Sequence, residues 1–255
     1  MEKNNIINYY NTYDEDGRFF RDNVHQVEWI TSMIYFEKLF KKGAYILDGC
    51  AGTGNYSFKL AELGYKVIAG DIVPHNVDII RDKQDKKPIL ADIYTGSITD
   101  LSHFESETFD VVLNMGAFYH IGNEERKLAM TECLRVLKPK GLLAISYINN
   151  TANSVLNIRD RLENMEDVLT WYNNKTKDGI FLHMSPLEIE QIAKVYNTEI
   201  VAHIGTDGIG YLLSKKINEA NQEDFEQWIQ FHLQTCEDKG LLGYSLHGLA
   251  FLQKI

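Results

Sequence analysis

One short stretch restricts the folds open to this chain more than any other. From Ala44 to Leu47 the sequence is apolar, then reads Asp48-Gly49-Cys50-Ala51-Gly52-Thr53-Gly54 and passes into an amphipathic segment from Tyr56 to Leu63. An apolar run ending in an acid, a glycine-bearing turn and a helical period predict a buried strand, a tight loop and a helix N-terminus. Glycine has no Cβ, so a ligand can approach the backbone of such a loop closely.

The same grammar recurs downstream. Short apolar runs at 65–71, 88–94, 109–114 and 142–147 predict four more strands, and 198–204 and 248–252 predict a sixth and a last. Between them, helical spacing covers 77–81, 124–137 and 223–239, and Ser185-Pro186 starts a further helix with a serine cap and proline at its first position. An earlier helix is predicted over 24–40, closed by Lys41-Lys42-Gly43. Strands alternating with helices at this interval predict a mostly parallel sheet covered on both faces. The run 109–114 is the most continuously apolar and is placed at the centre. From 149 to 179 the pattern turns polar and helical, which reads as an insertion.

At 255 residues the chain is long enough for one large domain with a substantial core. Its formal net charge of −10 disfavours a broad phosphate-binding surface, so nucleic acid is not an expected partner. The clusters Lys41-Lys42, Arg81 to Lys87 and Lys138 to Lys140 read as solvated faces. Cys50, Cys133 and Cys236 lie far apart, without zinc spacing or a disulfide framework, and no metal is expected. The polar start and the lack of a membrane-length apolar run lead to the expectation of a cytoplasmic protein, monomeric or homodimeric.

Three strand ends converge on one sheet edge: Asp48 with Gly52 to Gly54, Asp71, and Ser97-Ile98. Ligands of open parallel sheets lie across the carboxyl ends of the strands near the switch point. An acid about twenty residues past the glycine loop suits the two hydroxyls of a ribose, because a carboxylate accepts two hydrogen bonds at once. The glycine spacing differs from the Gly-x-Gly-x-x-Gly of dinucleotide sites, and an acid before it would repel a pyrophosphate. It resembles instead the first motif of the class I S-adenosylmethionine-dependent methyltransferases. Phe109-Asp110-Val111-Val112-Leu113 with Tyr119-His120-Ile121, and the turn Leu134 to Leu143, resemble that family's fourth strand and its entry to the fifth. The match is close over 40–150 and is similar to the small-molecule methylases of ubiquinone and menaquinone biosynthesis.

The resemblance implies a Rossmann-like, seven-stranded α/β sheet with an antiparallel last strand and helices on both faces. Residues 43–148 would form the cofactor-binding core and 185–255 would complete the sheet, while 1–42 and 149–184 would form a lid. It implies S-adenosyl-L-methionine as cofactor, held by Asp48, Gly49, Cys50, Ala51, Gly52, Gly54, Asp71, Ile72, Ser97, Ile98, Asn114, Met115 and Gly116. Cys50 stands where the family often has glycine, and Ser97 where many members have an acid. Methyl transfer to a small-molecule acceptor is the implied activity; transfer to tRNA or protein, or non-catalytic cofactor sensing, are the rivals. His120, which titrates near neutrality, and Tyr119 are the catalytic candidates. Tyr13, Arg18, Tyr244 and His247 are the candidate substrate contacts, with Asp207 and His232 as further members of the roof.

Overall fold

The computed structural model describes residues 3–160 and 162–255. Its centre is a seven-stranded sheet made of β1 (Tyr45–Asp48), β2 (Lys66–Asp71), β3 (Asp92–Thr95), β4 (Phe109–Asn114), β5 (Leu137–Ile148), β6 (Thr198–Gly205) and β7 (His247–Lys254). Their order is β3-β2-β1-β4-β5-β7-β6. β1 to β5 pair in parallel, and β7 runs antiparallel to both of its neighbours. The topology implied by the resemblance is therefore present, with the order reversing between β1 and β4.

Successive strand residues point to opposite faces, and both faces are apolar. Ile46, Val67, Val111, Ala144 and Phe251 face one core cluster, into which α2 (Asn23–Leu39) contributes Met33, Tyr35 and Phe36. Their chain neighbours Leu47, Ile68, Val112, Ile145 and Leu252 face the other, covered by α5 (Asn123–Val136) and α8 (Pro186–Val195). Asp22 caps α2 by accepting the backbone N–H of His25, and Ser185 forms a reciprocal capping box with Glu188 on α8.

Three boundaries differ from the sequence expectation. The third strand starts at Asp92, not at Pro88, because Gln84 takes up the backbone of 89–90: its Oε1 accepts from Ile89 N and Leu90 N, and its Nε2 donates to Leu90 O. The helix drawn over 223–239 stops at Thr235 (Gln222–Thr235), and a separate turn of helix, Lys239–Leu242, starts on an Asp238 cap. The fifth strand begins at Leu137, which pairs with Phe109 before a register shift. Residues 149–184 hold α6 (Asn150–Asp160) and α7 (Met165–Asn174), and an amino-terminal helix α1 (Lys3–Tyr10) packs on α4 (Pro74–Lys86). Among the described residues no helix is long and apolar enough to cross a membrane.

Candidate active site

The loop after β1 is built to bring bare backbone to the sheet edge. Gly52 and Gly54 sit at φ +54° and +86°, in the left-handed region that glycine enters without steric cost. Ala51 N donates to Gly70 O at 2.9 Å, and Gly52 N donates to Asp71 Oδ2 at 2.8 Å. Asp71 Oδ1 accepts from Val73 N at 2.8 Å and from Asn76 Nδ2. Burial pushes the Asp71 carboxyl up to about 6, opposed by these backbone donors.

A cleft of about 650 Å³, open to solvent at its mouth, lies over this edge. Nine of the thirteen expected cofactor residues line it: Gly49, Cys50, Gly52, Asp71, Ile72, Ser97, Ile98, Met115 and Gly116. Asp48, Ala51, Gly54 and Asn114 do not line it. Asp48 is 1% exposed; its Oδ2 accepts from Ser57 Oγ at 2.6 Å, while Oδ1 has no well-placed donor. Burial raises its carboxyl to about 7. Asn114 is fully buried, with Nδ2 likewise lacking an acceptor. Ala51 packs against the core and Gly54 forms the N-cap of α3 (Asn55–Glu62), so these four support the loop from behind.

The amino-terminal segment adds to this cleft residues that were not among those expected. Ile6, Tyr10 and Glu15 line it from the amino-terminal segment, with Glu15 Cγ set directly over Gly52. Asp16 fastens that segment by accepting from Thr53 Oγ1 at 2.9 Å and pairing with Lys83. No periodicity marks 11–18, so the contacts of Glu15 and Asp16 leave no signal in the sequence.

A second chamber of about 950 Å³ including its mouth adjoins the first. Tyr10, Glu15 and Tyr119 line both, forming the neck between them. Tyr13, Arg18 and His247, three of the four candidate substrate contacts, line the second chamber together with Glu28, Asp178 and Phe181. Arg18 does not present a free guanidinium: it donates to Glu15 Oε1 at 3.2 Å and to both Glu28 oxygens at 2.9 and 3.4 Å. Tyr244 is a correction, since it is 48% exposed and lines neither chamber. His232 belongs to a separate small cavity beside Trp228 and Cys236.

His120 lines the cofactor-side cleft with both ring nitrogens engaged. Nδ1 donates to Ile180 O at 2.9 Å, so Nε2 must accept from Tyr10 Oη at 2.9 Å. Burial lowers its pKa to about 4. A neutral imidazole whose lone pair is already taken is a poor base; the ring joins α1 to the 178–183 loop across the top of the cleft. Tyr119 sits at the neck with its Oη against Gly116, and burial raises its phenol well above the ordinary range. His247, by contrast, donates from Nδ1 to the buried Asp207 Oδ2 at 2.7 Å. Among the described residues, no group of three or more His, Cys, Asp or Glu is placed to hold a metal ion.

Residues 47–145 match the methyltransferase domain family. Ubiquinone biosynthesis O-methyltransferase of Cereibacter sphaeroides is 31% identical over 137 residues, 54% of this chain and 53% of that protein. The Rhizobium etli protein of that name is 29% identical over 164 residues, 64% and 63% of the two chains. The chain thus spans about half to two thirds of the length of these curated relatives. In fold, the chain is similar to mycolic acid cyclopropane synthase CmaA1, solved with SAH and CTAB, at a TM-score of 0.65 and 16% identity, covering 100% of this chain and 99% of that one. In its sheet order, its acid-flanked glycine loop and the domain match over its centre, this chain is similar to the class I S-adenosylmethionine-dependent methyltransferases.

Proposed function

We propose that this protein transfers a methyl group from S-adenosylmethionine to a small-molecule acceptor. The observation that carries the reading is the pair of chambers meeting at Tyr10, Glu15 and Tyr119, one on the glycine loop and one under the lid. The chemistry of the first chamber fits the cofactor. Its lining includes the carboxylates of Glu15 and Asp71 and no Lys or Arg, which favours a cationic, hydroxyl-bearing ligand and disfavours a pyrophosphate.

In this reading Asp71 takes the ribose hydroxyls, and Ser97 and Ile98 meet the adenine. The backbone of Gly49 to Gly52, with Met115 and Gly116, holds the methionine portion. Asp48 and Asn114 keep the loop in place from beneath. The bound cofactor supplies a methyl already activated on a sulfonium, so the protein's task is alignment and exclusion of water. Residues 1–42 and 149–184 form the lid that does this, and Tyr13, Arg18 and Phe181 shape the wall of the acceptor chamber.

Calorimetry with S-adenosylmethionine and S-adenosylhomocysteine tests the cofactor half of the reading; binding of NAD but of neither nucleoside overturns it. Incubation of methyl-labelled cofactor with a metabolite extract and, separately, with total tRNA tests the acceptor. Label in a metabolite is the expected outcome. Label only in tRNA, or in neither, overturns the small-molecule assignment.

A further inference from the structure

A line of charged side chains crosses the acceptor chamber, and three of its members, Glu28, Asp207 and His247, have no part in the reading above. It starts at the neck with Glu15, continues to Arg18 at 3.2 Å, and passes to Glu28 at 2.9 Å. Glu28 Oε2 lies 3.8 Å from His247 Nδ1, and that nitrogen lies 2.7 Å from Asp207 Oδ2. Asp207 is held in turn by Ser245 Oγ at 2.7 Å and by the backbone N–H of His247 at 3.1 Å. The members come from the amino-terminal segment, α2, the turn after β6 and the start of β7, so four distant parts of the sequence converge on one imidazole.

Resting on the methyltransferase reading, we propose that His247 is the proton acceptor of the acceptor chamber and that the methyl acceptor is a hydroxyl, which must lose its proton on transfer. Asp207 receives the Nδ1 hydrogen, which fixes the tautomer and leaves the lone pair on Nε2. No described residue bonds that nitrogen, and the ring lines the chamber. The aromatic wall of Tyr9, Tyr13 and Phe181 suits a flat ring bearing the hydroxyl. In the step, the acceptor O–H bond breaks, its electron pair stays on oxygen, and the proton joins the Nε2 lone pair. The oxygen pair forms the new bond to the methyl carbon while the pair of the carbon–sulfur bond stays on sulfur. The imidazolium later returns its proton to solvent.

The charges facing His247 set its working range. Burial alone would lower its pKa, but Glu28 and Asp207 outweigh that and raise it above its ordinary value, with Arg18 opposing them. His25, on the same helix as Glu28, is turned to Asp22 at 2.6 Å. On the far wall stand Lys177 and Asp178, of opposite sign, and His183, which burial keeps neutral with a pKa lowered to about 4. Turnover of a hydroxyl acceptor therefore rises with pH to a plateau whose midpoint lies above 6.5.

The test uses the full chain. Calorimetry with S-adenosylhomocysteine comes first: equal affinity in wild type and H247Q is expected, and absence of binding in both would defeat the methyltransferase reading itself. Nitrogen-detected NMR of the imidazole then reads the chain of charges without any acceptor. The expected result is an Nδ1–H tautomer with a pKa above 6.5 that falls in E28Q; an Nε2–H tautomer overturns the proposal. With labelled cofactor, 4-methoxyphenol and 4-nitrophenol separate base from scaffold. H247Q should cut kcat for 4-methoxyphenol on the order of a hundredfold or more, with little change in KM. At pH 8, where 4-nitrophenol is mostly ionised and 4-methoxyphenol is not, it should cut kcat for 4-nitrophenol less than about tenfold. Equal losses on both phenols, or transfer to dimethylglycine and to neither phenol, overturn the proposal.

Discussion

The backbone N–H of Gly52 donates to Asp71 Oδ2 at 2.8 Å, so the loop after β1 is closed by the acid at the end of β2. One carboxylate thereby does two things: it fixes the glycine loop and it leaves a lone pair for the cleft that it lines. A carboxylate has about four such sites, and the described protein donors use three.

Replacing Asp71 by Ala removes both roles. S-adenosylhomocysteine affinity, measured by calorimetry, is expected to fall on the order of tenfold to a hundredfold, the scale of hydrogen bonds to a charged group. Unchanged affinity would remove the ribose assignment.

The same group gives cofactor binding a pH dependence. In the proposed reading Asp71 accepts from the ribose, which its ionised form does best, and its carboxyl is raised to about 6 by burial. Affinity should be constant above pH 7 and decline as pH falls through about 6. The Asp71→Ala variant should lack that decline.

Asp48 affects the fold rather than the ligand. Its carboxyl titrates near 7 in the folded chain against about 4 when unfolded, so the folded state holds the proton more tightly. Its favourable contribution is complete below pH 4 and is lost as pH rises toward and through 7. Asp48→Asn, which keeps an acceptor for Ser57, should raise the thermal midpoint at pH 8 by several degrees and at pH 5 by clearly less. Equal shifts at both pH values would show that charge burial is not the cause.

Packing beneath the loop predicts a steric effect. A Cβ on Gly70 would run into the Tyr94 ring, and Tyr94 is wedged between Gly70, His103 and Phe104. Gly70→Ala should cost about 1–3 kcal/mol and lower Tm by roughly 3–10 °C in a calorimetric scan. It should also weaken cofactor binding, because Gly70 O anchors Ala51.

The amino-terminal segment can be loosened at one atom. Tyr10→Phe removes the hydroxyl that donates to His120 Nε2. One such bond contributes about 1 kcal/mol, so hydrogen exchange over 3–18 should quicken roughly fivefold. Exchange elsewhere in the chain should not change.

The sequence by itself determined the sheet and the ligand-bearing edge. Strand periodicity, the left-handed glycines and the acids at strand ends are local properties, readable from a few consecutive residues; nine of thirteen expected residues line the cleft for that reason. Only folding sets which acid lines the cleft. Asp48 and Asp71 look alike in sequence, yet Ser57 on α3 draws Asp48 beneath the loop while Asp71 stays at its rim. It also decided which histidine has a free lone pair. His120 spends its own on Tyr10, 110 residues away, and His247 keeps Nε2 because Asp207, 40 residues earlier, holds Nδ1. The state of an imidazole depends on partners brought together by folding, and no local pattern encodes that.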